Sequence, residues 1–151
     1  MFRRIDAVLG NLSDFPVGAR TVERLPVPSS AMARRLLRLP SSIGDLGLRL
    51  DGELRIRDGD VLVADAARVI AVEVEPDDVL IAYPASIAQA VEIAHALGNR
   101  HIPVIRDGDA IVIEYAGPLE ELLERSGVRY ERGARVLERP FVHAHAPHVH
   151  A

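Results

Sequence analysis

The sequence predicts an α+β protein of two unlike halves. A small all-β domain is expected over residues 1–74, a ferredoxin-like βαββαβ domain over residues 75–140, and a histidine-rich tail over residues 141–151. Three observations carry this. Short apolar runs broken by Pro16, Pro26, Pro28 and Pro40 fill the first half, a pattern of strand edges and turns, not helices. Helical periodicity begins only after Glu75-Pro76-Asp77-Asp78, which therefore reads as a domain joint. Four of the six histidines, His143, His145, His148 and His150, stand in the last nine residues.

Composition narrows the function classes. A chain of 151 residues with 48% hydrophobic content can bury a real core. No apolar run approaches the ~20 residues of a membrane helix, and Met1-Phe2-Arg3-Arg4-Ile5-Asp6 has no apolar export region. The expectation is a soluble, cytoplasmic protein with no membrane partner. Cysteine is absent, which removes disulfides, thiolate nucleophiles and cysteine metal sites. All 18 basic residues are arginine, so no lysine serves a Schiff base or a phosphate-binding loop. A net charge of −4 with three Tyr, three Phe and no Trp gives no support to a nucleic-acid partner. Paired carboxylates of defined spacing, a nucleophile elbow and His-Glu-x-x-His are all missing, so the chain is not expected to be an enzyme.

In the first half, Ile5–Leu9 before Gly10-Asn11, Val22–Val27 and a longer run from Ala33 read as strands. Leu46–Leu50, Leu54–Arg57 and Val61–Val63 alternate around Asp51-Gly52 and Asp58-Gly59, which indicates hairpins. Arg34, Arg35 and Arg38 form a basic knot, either a docking patch for an acidic partner or a solvated edge that resists aggregation; the sequence places no site there.

In the second half, Val79–Tyr83 is a continuous apolar run suited to a central strand. Ser86 with Gln89 makes a capping box, and Ile87, Ala90, Val91, Ala94 and Leu97 recur at helical spacing. Gly98 is expected as the left-handed residue that ends this helix. Ile102–Ile105 and Ala110–Tyr115 form the next hairpin, closed by Asp107-Gly108. Pro118 opens a second helix with Glu120 and Glu121 in its first turn and Gly127 after its last, and Val128–Leu137 is the final strand. The string Ile-Arg-Asp-Gly-Asp occurs at 56–60 and at 105–109. Each copy reads as a turn, since neither has the ligand count of a calcium loop.

The histidines point to metal. His101 lies in Gly98-Asn99-Arg100-His101-Ile102-Pro103, between a helix end and a proline, and such stiffness orients an imidazole at low entropic cost. His95 precedes it by six residues, a spacing that puts the two on different helix faces, and reads as an ordinary side chain. In the tail, His-Ala-His and His-Val-His set pairs of imidazoles on one side of an extended chain, and Pro147 opposes a helix. Imidazoles without thiolate suit Zn(II), Ni(II) and Cu(II) alike. One chain offers a single oriented histidine where four ligands are wanted. A two-fold homodimer with His101 of each chain at the axis would double the count, and the tails would supply the rest.

At these residues the chain resembles the UreE family of urease accessory proteins. The resemblance rests on Gly98-Asn99-Arg100-His101 with Pro103, on Arg57-Asp58-Gly59-Asp60-Val61-Leu62, on Pro140-Phe141 and on the terminal histidines, and it covers residues 46–151 better than those before. It implies a nickel metallochaperone. Its N-terminal β domain would bind protein partners, and its metal-binding domain would hold nickel at a homodimer interface through His101. Its partners would be the urease accessory GTPase and the urease apoprotein complex. Two departures stand out. Val142-His143 follows Pro140-Phe141 where many members continue Pro-Glu-x-Gly-Ala-Tyr, and Arg106-Asp107-Gly108-Asp109 stands where some members carry further histidines. Two other readings accommodate the same residues: a histidine-rich zinc or nickel buffer without a client, and a small-molecule-binding ferredoxin-like regulatory module.

Overall fold

The computed structural model describes residues 1–50, 52 and 54–142, and these form an α+β fold of eleven strands and two α-helices. It divides into two compact units, Met1–Pro76 with Val136–Pro140, and Asp77–Arg135 with Phe141. No helix among the described residues is long and apolar enough to cross a membrane.

The first unit contains β1 (Phe2–Ile5), β2 (Gly10–Asn11), β3 (Thr21–Val27), β4 (Leu36–Leu39), β5 (Asp45–Arg49), β6 (Asp60–Ala64) and β7 (Arg68–Val74). They form two sheets, ordered β1-β5-β4 and β2-β6-β7-β3. Alternation puts Ile5, Leu37, Leu39, Leu46 and Leu48 of the first sheet in one core with Leu25, Leu62, Ile70 and Val72 of the second, the packing expected when each sheet has one apolar face. Pro26 lies within β3, an edge strand where its missing N–H breaks no inner ladder. Pro28 caps a single 3-10 turn, Ser29–Ala33.

Three expectations need correction here. The first strand is Phe2–Ile5, not Ile5–Leu9, because Ile5 is its inward residue and the chain leaves the ladder at Asp6. The run from Ala33 starts in that 3-10 turn and becomes a strand only at Leu36. The successive hairpins of 46–63 do not form. β5 pairs with β1 and β4, β6 pairs with β2 and β7, and Leu54–Arg57 is not a strand. The Asp58-Gly59 turn is real, with Gly59 at φ 79°, but it closes no hairpin of its own: backbone bonds from Gly59 N–H to the Val72 carbonyl and from Leu12 N–H to the Gly59 carbonyl, each at 2.8 Å, hold it together with side chains. Asp60 Oδ2 accepts from Arg57 N–H at 2.7 Å, Asp58 Oδ1 accepts from Val74 N–H at 2.8 Å, and Asn11 Nδ2 donates to the Asp58 carbonyl at 2.8 Å. Asp51 of the other predicted turn lies outside the described residues.

The second unit runs β8 (Asp77–Tyr83), α1 (Ile87–Asn99), β9 (Ile105–Asp107), β10 (Ala110–Glu114), α2 (Gly117–Arg125) and β11 (Arg129–Arg135). The sheet order is β11-β8-β10-β9, and every pairing is antiparallel. β8 is central and buried on both faces. Its Leu80 and Ala82 pack with Ile93 and Leu97 of α1 and Leu119 and Leu123 of α2. Its Val79 and Ile81 join Ala110 and Val112 on the opposite face, where Phe141 packs. Ser86 caps α1 by accepting from Gln89 N–H at 3.1 Å, while Gln89 Oε1 takes the amide of Ala85 at 2.8 Å. Gly127 follows α2 at φ 69°.

Candidate metal centre

The geometry of the centre is set by how α1 ends. After Asn99 the chain passes through Arg100 (φ −95°) into His101, whose φ is 57°. Among the described residues it is the one non-glycine with positive φ. Its N–H donates to the Gly98 carbonyl at 2.9 Å, and the next amide, Ile102, reaches back to the Leu97 carbonyl at 3.0 Å. These two bonds make a Schellman motif with His101 in the left-handed position that glycine normally takes.

This corrects the expectation for Gly98, which stays inside the helix. The reason lies in the apolar contact that accompanies such a cap. With His101 in the left-handed place, the contacting pair is Leu97 and Ile102, and both lie in the core between helices and sheet. Had Gly98 taken it, the pair would have been Ala94 and Asn99, both exposed. Seating an isoleucine against a buried leucine contributes on the order of 1–2 kcal/mol, while a left-handed L-residue costs ~1–2 kcal/mol. Histidine tolerates that region better than most, so burial wins and the imidazole takes the strained place.

His101 is exposed. His95 is also exposed, on α1, where its Nε2 lies 3.1 Å from Asn99 Nδ2. Among the described residues no three His, Asp or Glu side chains gather where an ion would sit. His143, His145, His148 and His150 lie outside the described residues. They follow Phe141-Val142 in the sequence, and Phe141 is partly buried against the sheet face that carries Val79, Ile81, Ala110 and Val112.

Sequence periodicity missed the division of α1 into two stripes. The buried side is Ile93 and Leu97. Ile87 and Val91 are 85% and 61% exposed, and Ala94 and Gly98 are exposed with them. At ~100° per residue these four fall within about 60° of one another. They form an uncovered apolar stripe that runs down the helix to the turn holding His101. The spacing i, i+4, i+7, i+11 was the available signal.

Comparison with known proteins bears on the whole chain. A family model described as UreE urease accessory protein, N-terminal domain, matches residues 5–75, and one described as UreE urease accessory protein, C-terminal domain, matches residues 77–150. The chain is 38% identical over 149 residues to the urease accessory protein UreE of Corynebacterium efficiens, covering 97% of this chain and 99% of that one. It is 38% identical over 159 residues to that of Pseudarthrobacter chlorophenolicus, at 95% and 99% coverage. Against that of Bacillus cereus it is 31% identical over 150 residues, at 99% of each.

Proposed function

We propose, from the premise that this chain belongs to the UreE urease accessory protein family, that it is a nickel metallochaperone supplying Ni(II) for assembly of the urease metallocentre. It is an accessory protein and not an enzyme; the ion is its cargo. On this reading Ni(II) is held at a homodimer interface by His101 of each chain and completed by exchangeable ligands from His143, His145, His148 and His150. The second unit is taken as ferredoxin-like, which its βαββαβ order and the sheet order β11-β8-β10-β9 support. The partners are the urease accessory GTPase and the urease apoprotein complex, in the cytoplasm.

The observation that carries this is the exposed imidazole of His101, held in a strained backbone place at the foot of an uncovered apolar stripe. Residues kept in sparsely populated backbone regions concentrate at binding sites. An apolar stripe on a helix calls for cover, and a second copy placed on a two-fold axis would bring a second His101 toward the first. Two fixed imidazoles alone leave a nickel shell open, and that openness favours passing an ion on over retaining it.

Calorimetry with Ni²⁺ tests the reading. The His101→Ala protein should lose the tightest site, and unchanged affinity and stoichiometry would refute it. Truncation after Val142 should weaken binding without unfolding the second unit. Val91→Glu should convert dimer to monomer in sedimentation and lose the shared site. Because metal and proton compete for the same ring nitrogen, binding should weaken on acidification. Zn(II) and Cu(II) should compete in vitro, since imidazole does not discriminate by softness.

A further inference from the structure

Asp-Gly is a chemically reactive pair as well as a turn signal. Glycine has no Cβ to hinder its own nitrogen, so that nitrogen can close on the carboxyl carbon of the aspartate before it. Three such pairs occur in the chain, Asp51-Gly52, Asp58-Gly59 and Asp107-Gly108; Asp51 lies outside the described residues. The other two stand in the same string, Ile-Arg-Asp-Gly-Asp, and the fold treats them oppositely.

At Asp58-Gly59 both reacting groups are engaged. Gly59 is buried, and its N–H donates to the Val72 carbonyl at 2.8 Å. Asp58 Oδ1 accepts from Val74 N–H at 2.8 Å. Both partners belong to β7, an inner strand of its sheet. At Asp107-Gly108 neither group is held. Gly108 is exposed at the tip of the β9–β10 hairpin with φ 57°, and its N–H has no acceptor among the described residues. The Asp107 side chain is 65% exposed, and Arg135 stands 3.7 Å from it, too far for a hydrogen bond. β9 is a three-residue edge strand whose pairing ends at Asp107, and strand ends of this kind open at low free-energy cost.

We propose that Asp107-Gly108 is a site of isoaspartate formation in the folded protein, and that Asp58-Gly59 is protected from the same reaction. The Gly108 nitrogen bonds to Asp107 Cγ, and the side-chain hydroxyl leaves as water with the amide proton, giving a five-membered cyclic imide. Water then reopens the ring. Breaking the bond from nitrogen to Cγ restores aspartate; breaking the bond from nitrogen to the α-carbonyl carbon leaves the main chain running through Cβ and Cγ. Mass is unchanged, and water is the only reagent. The isoaspartyl link adds one carbon to the backbone where Asp107 faces Ala110, so the hairpin register is lost from that end. β9 is the strand that follows the His101 turn in the chain. The modification therefore loosens the element next along from the candidate ligand.

The test incubates the full-length protein at physiological temperature and pH, digests it, and compares the peptides that carry each pair. Electron-transfer fragmentation separates isoaspartate from aspartate at equal mass. Isoaspartate at position 107 should exceed that at position 58 by about tenfold, because Gly59 must first give up its bond to Val72 and Asp58 its bond to Val74. In denaturant the two pairs should isomerise at comparable rates, since the fold alone separates them. Asp107→Glu, which could close only a six-membered ring, should abolish the signal at 107. Equal isomerisation of the two pairs in the folded protein, an excess at 107 that persists in denaturant, a signal that survives Asp107→Glu, or isoaspartate at neither pair would each overturn the proposal. None of these readouts involves nickel, so failure here leaves the metal reading standing.

Discussion

Replacing His101 by glycine should make the second unit more stable while removing the side chain proposed to bind metal. The left-handed backbone at φ 57° costs an L-residue ~1–2 kcal/mol and costs glycine nothing. The side chain is exposed, so truncating it forfeits no packing. Glycine's looser unfolded chain takes back ~0.5–1 kcal/mol. The net expectation is a gain of about 0.5–1 kcal/mol, or roughly 1–4 °C in melting temperature for a chain of this size. His101→Ala keeps the unfavourable φ and should show no such gain. All three tyrosines, Tyr83, Tyr115 and Tyr130, lie between Asp77 and Arg135, so tyrosine fluorescence follows the unfolding of the second unit alone. The measurement belongs in chelator, at one protein concentration, so that neither bound metal nor mass action moves the midpoint. A His101→Gly protein less stable than wild type would refute the reasoning, because it would mean that the imidazole is held by contacts the exposed geometry does not contain.

Other perturbations test the frame around the site. Phe141→Ala should destabilise the second unit by ~1–3 kcal/mol, since this ring packs on the sheet face with Val79 and Ile81, whereas removal of everything after Val142 should leave that transition in place; equal effects in the same tyrosine-monitored melt would contradict this. Tyr130 donates to Glu124 at 2.8 Å, and this bond, with desolvation and the charge of Glu120, pushes its phenol up to about 12. The resulting stabilisation is whole below the ordinary tyrosine value of ~10 and is lost as pH rises through about 12, so a tyrosinate absorbance titration should show a late phase that Glu124→Gln brings earlier. Asp78 is held below the ordinary carboxylate range, chiefly by its hydrogen bond from Arg132. Its contribution is present above pH ~3.9 and fades as pH falls through the lowered value; Asp78→Asn should therefore be less stable than wild type at neutral pH, with the difference vanishing in acid.

Much of the second unit was legible because its signals are local. The Val79–Tyr83 run, the Ser86 cap, Asp107-Gly108 and Gly127 each fix backbone within a few residues, and the structure has β8, α1, the β9–β10 hairpin and α2 at those places. The first unit was harder because its pairing is not local. β5 and β6 are consecutive strands, yet they enter different sheets, and β1 and β3 lie parallel to partners far along the chain. Alternation showed which faces are apolar; it carries no information on which strand closes which sheet. Asp-Gly misled in the same way, since the turn at Asp58-Gly59 is held by Asn11 and Val74, residues remote in sequence.

The candidate centre was found for a reason that proved incomplete. Gly98 and Pro103 drew attention to His101 as a residue in a stiff turn, yet glycine is not what bends the chain there. Two local preferences compete at this helix end, one for glycine in the left-handed place and one for an apolar pair across the cap, and Leu97 with Ile102 is an apolar pair available only if His101 accepts the strain. A sequence that wanted only a stable helix end would place glycine at 101 and lose nothing in packing. Placing an imidazole there instead sacrifices stability at an exposed position, the pattern expected where a side chain is retained for what it binds. If His101→Gly gains stability while the nickel site disappears, strain and ligand are the same residue; if stability is unmoved, the turn is relaxed and His101 loses its claim over His95.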